Sequence, residues 1–188
     1  NSVYKNGWDY SGTIFPVTSP AKAIAGSRAL TVSPSLTATA NNAVIKTNLY
    51  LIGGKKYMLS FWATRPSGVE YYVSNGSNVQ FLSPVKSLSN GWYYYETELT
   101  AISNQPMGVI CFGTGGLSYA LIDEVMLFPS IAKMESLSYD TRSNQVITQN
   151  KGNGQLLNFE YDGLGRQTAI RDEDGNLLKT QDFKQQDN

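Results

Sequence analysis

The chain contains no histidine and only one cysteine, Cys111. Without histidine, Ser–His and Cys–His nucleophile–base pairs and His-ligated metal centres are excluded. A single cysteine excludes an intrachain disulfide. Its place in the apolar run Met107-Gly108-Val109-Ile110-Cys111-Phe112 reads as a buried, inert thiol. No segment reaches the roughly 18 apolar residues that a membrane-spanning helix requires, so no membrane insertion is expected. No window holds helical periodicity over three turns. A charge surplus is missing too: 15 Lys and Arg balance 15 Asp and Glu. Nucleic-acid and anionic-membrane binders usually carry a basic excess, so no nucleic-acid partner is expected. The sequence starts at Asn1 and carries no signal peptide, and it reads as a piece of a longer protein.

What is present is β-forming. Tyr (12) and Gly (17) are abundant, 41% of residues are hydrophobic and only 16% are charged. That mixture suits short strands joined by polar turns, with enough apolar material for a core. Residues 1–30 read as largely irregular, with Arg28–Ser33 as the first firm strand. Strands are then expected over 42–47, 50–52, 57–64, 69–73, 79–81, 92–100, 107–112 and 119–128, the last ended by Pro129. The organising stretch follows the Gly53-Gly54 turn. Tyr57, Leu59, Phe61 and Ala63 alternate with Met58, Ser60, Trp62 and Thr64. This period of two assigns the first set to a core and places Trp62 on the other, exposed face. In the same way, Tyr93, Tyr95, Thr97 and Leu99 face inward, and Trp92, Tyr94, Glu96 and Glu98 face away. Strand spacing of this kind predicts an antiparallel β-sandwich.

After Pro129 charged residues become denser and the chain repeats. Ser138-Tyr139-Asp140 recurs 22 residues on as Glu160-Tyr161-Asp162. Each copy runs through a turn, a strand and a second turn containing Asn-Gly or Asp-Gly, the residues that tight hairpins favour. The pattern predicts an antiparallel meander over roughly 133–140, 145–150, 155–162, 166–172 and 176–183.

The words Tyr161-Asp162-Gly163-Leu164-Gly165-Arg166 and Asp172-Glu173-Asp174-Gly175-Asn176 resemble the YD repeat of Rhs-type bacterial proteins. The first copy departs from it: Thr141-Arg142-Ser143-Asn144 follows Tyr139-Asp140, and one extra residue precedes its Asn-Gly turn. In that family, arrays of such hairpins build a β-shell. The resemblance implies further YD repeats of the parent chain as a partner, with Tyr139 and Tyr161 as packing residues and Gly165 and Arg166 as turn and surface residues.

Residues 1–128 separately resemble the jelly-roll carbohydrate-binding modules and galactose-binding-like sandwiches. The resemblance rests on Ala25–Val32, Gly54–Ala63, Tyr119–Val125 and the Asn90-Gly91-Trp92 word. Together the two resemblances imply a jelly-roll domain over 1–130 and a YD-repeat segment over 131–188. They are similar to the large secreted or cell-surface proteins of Bacteroidetes-type bacteria.

Sugar binding needs flat rings for the apolar sugar face and polar groups for the hydroxyls. Trp62, Trp92, Tyr94, Tyr71 and Tyr72 could supply rings; Glu70 and Glu96 could supply acceptors. The competing reading makes these ordinary β residues of a structural spacer. The resemblance also implies a structural calcium ligated by Asp123, to which Asp9 or Asn6 near the N-terminus could contribute. An enzyme would have to work with carboxylates alone. Glu96 and Glu98, about 6–7 Å apart on one strand face, are a pair that a glycoside hydrolase could use. The expectation is a non-catalytic module binding a glycan or another surface ligand, with the spacer as its main alternative. Asp172, Glu173 and Asp174 read as solvated turn charge.

Overall fold

The structure is a computed structural model that describes residues 8–10, 14–18, 23–26, 28–32, 45–47, 51–75, 78–102, 107–113 and 119–183. Described residues form strands, turns and loops and no helix, so none is long and apolar enough to cross a membrane. The strands are β1 (Trp8–Tyr10), β2 (Ile14–Thr18), β3 (Arg28–Val32), β4 (Ile45–Thr47), β5 (Lys56–Thr64), β6 (Val69–Asn75), β7 (Asn78–Phe81), β8 (Lys86–Ser87), β9 (Trp92–Thr100), β10 (Met107–Gly113) and β11 (Ala120–Pro129), then β12 (Ser136–Tyr139), β13 (Val146–Asn150), β14 (Leu156–Tyr161), β15 (Gln167–Arg171) and β16 (Leu177–Thr180).

Three antiparallel sheets result. The first runs β1-β4-β10-β6-β7, the second β2-β3-β11-β5-β9-β8, and the third takes β12 to β16 in chain order. The first two face each other as a jelly-roll sandwich. β5 organises the second sheet, pairing with β9 from Lys56↔Thr100 to Thr64↔Trp92 and with β11 along its other edge. Its inward residues Leu59, Phe61 and Ala63 meet Val69, Tyr71 and Val73 of β6 across the core, with Tyr95, Leu99 and Ile122 beside them. Phe61 stacks on Tyr95 at 5.0 Å, and Tyr71 meets both rings at 5.5 and 5.0 Å. Aromatic pairs of this kind add about 0.5–1.5 kcal/mol each beyond burial. Tyr71 also satisfies its hydroxyl by donating to the Thr64 carbonyl at 2.7 Å.

Residues 1–30 depart from their irregular reading, because β1 and β2 lie there. β2 contains Pro16 but occupies the sheet edge, where a residue without N–H is tolerated. Leu51 and Ile52, expected in a strand, are loop; Tyr50 lies outside the described residues. Pro129 is the last residue of β11 rather than the one after it. Cys111 lies in β10, and its side chain is outside the described residues.

β11 is not one regular strand. Its register against β5 shifts between Asp123 and Met126, so Glu124 and Val125 together oppose Phe61. Unbroken alternation from Ile122 would aim Glu124 into the core. The bulge turns it out, Glu124 adopts φ 51°, and Val125 packs on the core instead.

In the third sheet, each repeat Asp closes its turn. The Asp162 Oδ1 accepts from Leu164 N and Arg166 N, both at 2.9 Å. Asp140 Oδ1 accepts from Arg142 N and Ser143 N, and Asp172 Oδ1 from Asp174 N and Asn176 N. The extra residue of the first copy falls in the β12–β13 turn. Asp140 N bonds Gln145 O, whereas Asp162 N bonds Arg166 O. The left-handed position that Gly165 fills in the second turn is taken by Asn144 (φ 56°), the non-glycine type that tolerates it best.

Candidate functional site

The outer face of the second sheet collects the rings that alternation points away from the core. Trp62 from β5 and Trp92 and Tyr94 from β9 lie beside Ala29 of β3 and Leu88. Trp62 and Tyr94 have ring centroids 5.3 Å apart. The expected exposure is corrected: Trp62 is 0% accessible, Trp92 6% and Tyr94 2%. The meander covers them. Leu156 of β14 is itself fully buried in the same cluster. The turn before it crosses Tyr94, whose Oη donates to Glu96 Oε2 at 2.7 Å and lies 3.3 Å from Gly152 O. A side chain at Gly154 would meet Tyr94 Cδ1 at 2.6 Å, so only glycine fits there. Burial holds the Tyr94 phenol far above its usual range, and it stays a neutral donor.

Polar contacts fasten the edges of this cover. Glu124, swung out by the bulge, accepts from Ser136 Oγ at 2.6 Å and Asn150 Nδ2 at 2.9 Å. Ser138 lies against the backbone of Gly26. Glu173, expected as solvated turn charge, instead has a largely covered side chain: it pairs with Lys86 of β8 and accepts from Leu156 N at 3.1 Å. Lys86→Ala leaves that carboxylate without its cation. Lys86 is itself partly solvated, so the expected loss is about 1–2 kcal/mol, read as a lowered urea midpoint at unchanged m-value.

The other expected sugar contacts lie elsewhere. Tyr71 is inside the core, and Tyr72 and Glu70 are on the outer face of the first sheet. There Tyr72 pairs with Phe81 of β7, with centroids 3.9 Å apart, and Glu70 lies 3.8 Å from Arg65. Burial and the nearby Glu70 raise the Tyr72 phenol. Phe81, which sequence reading passed over, is an exposed ring there, at 62%. The seven expected residues thus fall in three places, of which the Trp62–Trp92–Tyr94–Glu96 group is the one brought together. Glu96 and Glu98 do not act as a pair: Glu96 accepts from Tyr94, and Glu98 binds Lys56 at 2.6 Å, which holds its carboxyl below the usual range.

Asp123 is an acceptor for backbone N–H groups. Its Oδ2 takes Ile24 N at 3.1 Å and Ala25 N at 3.3 Å, and its Oδ1 takes Glu124 N at 2.8 Å. A calcium site needs converging oxygens, whereas donors converge here. Among the described residues no group of three or more acidic or thiol side chains could hold a metal. Asp9 lies in β1, its side chain outside the described residues. The described residues around Asp123 therefore do not fit the expected ion. Burial, and secondarily Glu124, push the Asp123 carboxyl up from 3.8 to about 7. The folded state thus binds the proton more tightly than the unfolded chain. The contribution of Asp123 is full below pH 3.8 and declines as pH rises towards 7. Asp123→Asn should flatten that slope in unfolding measured from pH 4 to pH 8. Asp140, Asp162 and Asp172 shift the other way, held down chiefly by their turn hydrogen bonds, and lose their contribution as pH falls below 3.8.

Of the repeat residues, Tyr161 packs at the sheet and donates to Val146 O at 2.8 Å, while Tyr139 is exposed. Arg166 pairs with Asp162 at 2.7 Å and lies over the Phe183 ring at 4.4 Å.

No family model matches the chain, and no curated protein matches it. Solved structures do. The CBM22-1–GH10 modules of Clostridium thermocellum endo-1,4-β-D-xylanase 10B, complexed with xylohexaose, align at 15% identity and TM-score 0.46 over 67% of this chain and 26% of that one. A CBM22-1 xylan-binding domain from Paenibacillus barcinonensis aligns at 13% identity and TM-score 0.45, over 65% and 85%. TmCBM61, in complex with β-1,4-galactotriose, aligns at 18% identity and TM-score 0.42, over 67% and 90%. The chain spans about a quarter of the first of these and most of the other two.

Proposed function

We propose that the chain is a non-catalytic module of an Rhs-type bacterial surface or secreted protein, in which the sandwich is the base that carries the YD-type meander. The observation that carries this reading is the cover over Trp62, Trp92 and Tyr94 by Leu156 and the Gly152–Gly154 turn. A single five-stranded sheet has no core of its own, because its apolar face must be buried against another layer. The sandwich supplies that layer. Residues 131–188 expressed alone should therefore lack cooperative unfolding and dispersed amide resonances, while the whole chain unfolds as one unit. A separately folded, cooperatively melting 131–188 would sink the proposal.

A second reading, glycan binding by the Trp62–Trp92–Tyr94 face, is favoured by one further observation. The indole Nε1 of Trp62 is buried and has no acceptor among the described residues. A buried N–H without an acceptor costs about 1–3 kcal/mol, and packing alone gives no reason to retain it. Three rings with that donor and the Glu96 carboxylate have the make-up of a sugar platform, on which a sugar hydroxyl would accept from the indole N–H. Array binding by a folded variant with this face open would support it; silence across a broad array would remove it.

A further inference from the structure

We infer that the meander is an intramolecular gate over this aromatic face, so that oligosaccharide and meander compete for it. The inference rests on the glycan-binding reading above. Its own support is the imperfect fit of the cover. Leu156 fills the apolar centre, and Gly152 O meets the Tyr94 hydroxyl, yet nothing in the meander accepts the Trp62 N–H. The contact over Tyr94 is made by a glycine-containing turn that brings backbone rather than side chain to the ring. The flanking ties, Lys86–Glu173 and Glu124 with Ser136 and Asn150, are polar and lie beside the rings rather than on them. The two segments join through a single turn closed by Ala132 N donating to Pro129 O at 2.8 Å, in which Ile131 is 98% exposed. A ligand that binds only the open state lowers the closed population in proportion to its affinity for that state alone.

The test uses the full chain in four forms: wild type, Leu156→Ala, Lys86→Ala/Leu156→Ala and Phe81→Ala. Each is titrated with xylo-, cello- and galacto-oligosaccharides by nuclear magnetic resonance, following the Trp62 indole resonance and amide exchange in β12 to β16. The expected result is weak binding by wild type, at least ~10-fold tighter binding by the Leu156 variants, and faster meander exchange when sugar is added. Equal affinity in wild type and opened variants, with Trp62 shifted in both, would overturn the gate while keeping the sugar site. No binding by opened variants that keep dispersed sandwich resonances would overturn the glycan reading and the gate with it. Binding lost in Phe81→Ala would place the sugar on the first sheet and overturn both. Should the Leu156 variants not fold, the wild type decides alone: saccharide that leaves meander exchange unchanged at saturation contradicts the gate.

Discussion

Trp62→Ala should lower the unfolding free energy by about 3–5 kcal/mol, the range for truncating a fully buried aromatic side chain. A ring on an open platform would cost little when removed. Trp62 instead belongs to a buried cluster that spans both layers, with Tyr94 at 5.3 Å in the same sheet and Leu156 contributed by the sheet above. Its removal leaves a cavity between sandwich and meander, not within the sandwich core, where Phe61, Tyr71 and Tyr95 remain in contact. The loss should therefore appear in both segments. Denaturant unfolding followed by far-ultraviolet circular dichroism measures it. A loss under about 1 kcal/mol would mean that the ring is not buried as described.

Gly154→Ala should be nearly as damaging, with a loss of about 2–4 kcal/mol. Two independent effects act together. Gly154 has φ +73°, a left-handed conformation in which an L side chain is strained. The added methyl would also stand 2.6 Å from a ring carbon of Tyr94. Tyr94 cannot retreat easily, because its hydroxyl is held by Glu96 and Gly152 and its face by Trp62. Gly175, the equivalent residue of the second Asx–Gly turn, has φ +83° and nothing within 4 Å. Gly175→Ala should then show the conformational part alone, about 1 kcal/mol. The difference between the two variants isolates the overlap with Tyr94, and equal losses would show that the turn does not press on the ring.

The sequence was most legible where period-two alternation met a single buried face. Leu59, Phe61, Ala63, Tyr95 and Leu99 all lie on the core side that alternation assigns them. The repeat was equally readable, since Asx–Gly turn chemistry is local. Asp140, Asp162 and Asp172 cap turns within four residues of themselves. What alternation could not tell was whether the second face stays open. Trp62, Trp92 and Tyr94 stand on the side predicted, but their cover comes from Leu156, a residue more than 60 positions away in the chain. Likewise, Glu173 lies in a run of three acidic residues that looks solvated until Lys86 is brought beside it. β2 was hidden by Pro16, whose meaning depends on whether the strand is an edge. The bulge in β11 left only an indirect trace, a carboxylate at a position that strict alternation would bury.

The meander seals the outer aromatic face of the sandwich. The most direct measurement is hydrogen exchange of the Trp62 indole N–H in the native chain, resolved by nuclear magnetic resonance and compared with Leu156→Ala. A sealed face predicts that this proton exchanges in the wild type only when the meander lifts off, and at least ~10-fold faster in the variant, since Leu156→Ala removes about 2–5 kcal/mol from the closed state. Exchange of the wild-type indole at the rate of an exposed tryptophan, unchanged by Leu156→Ala, would contradict the account.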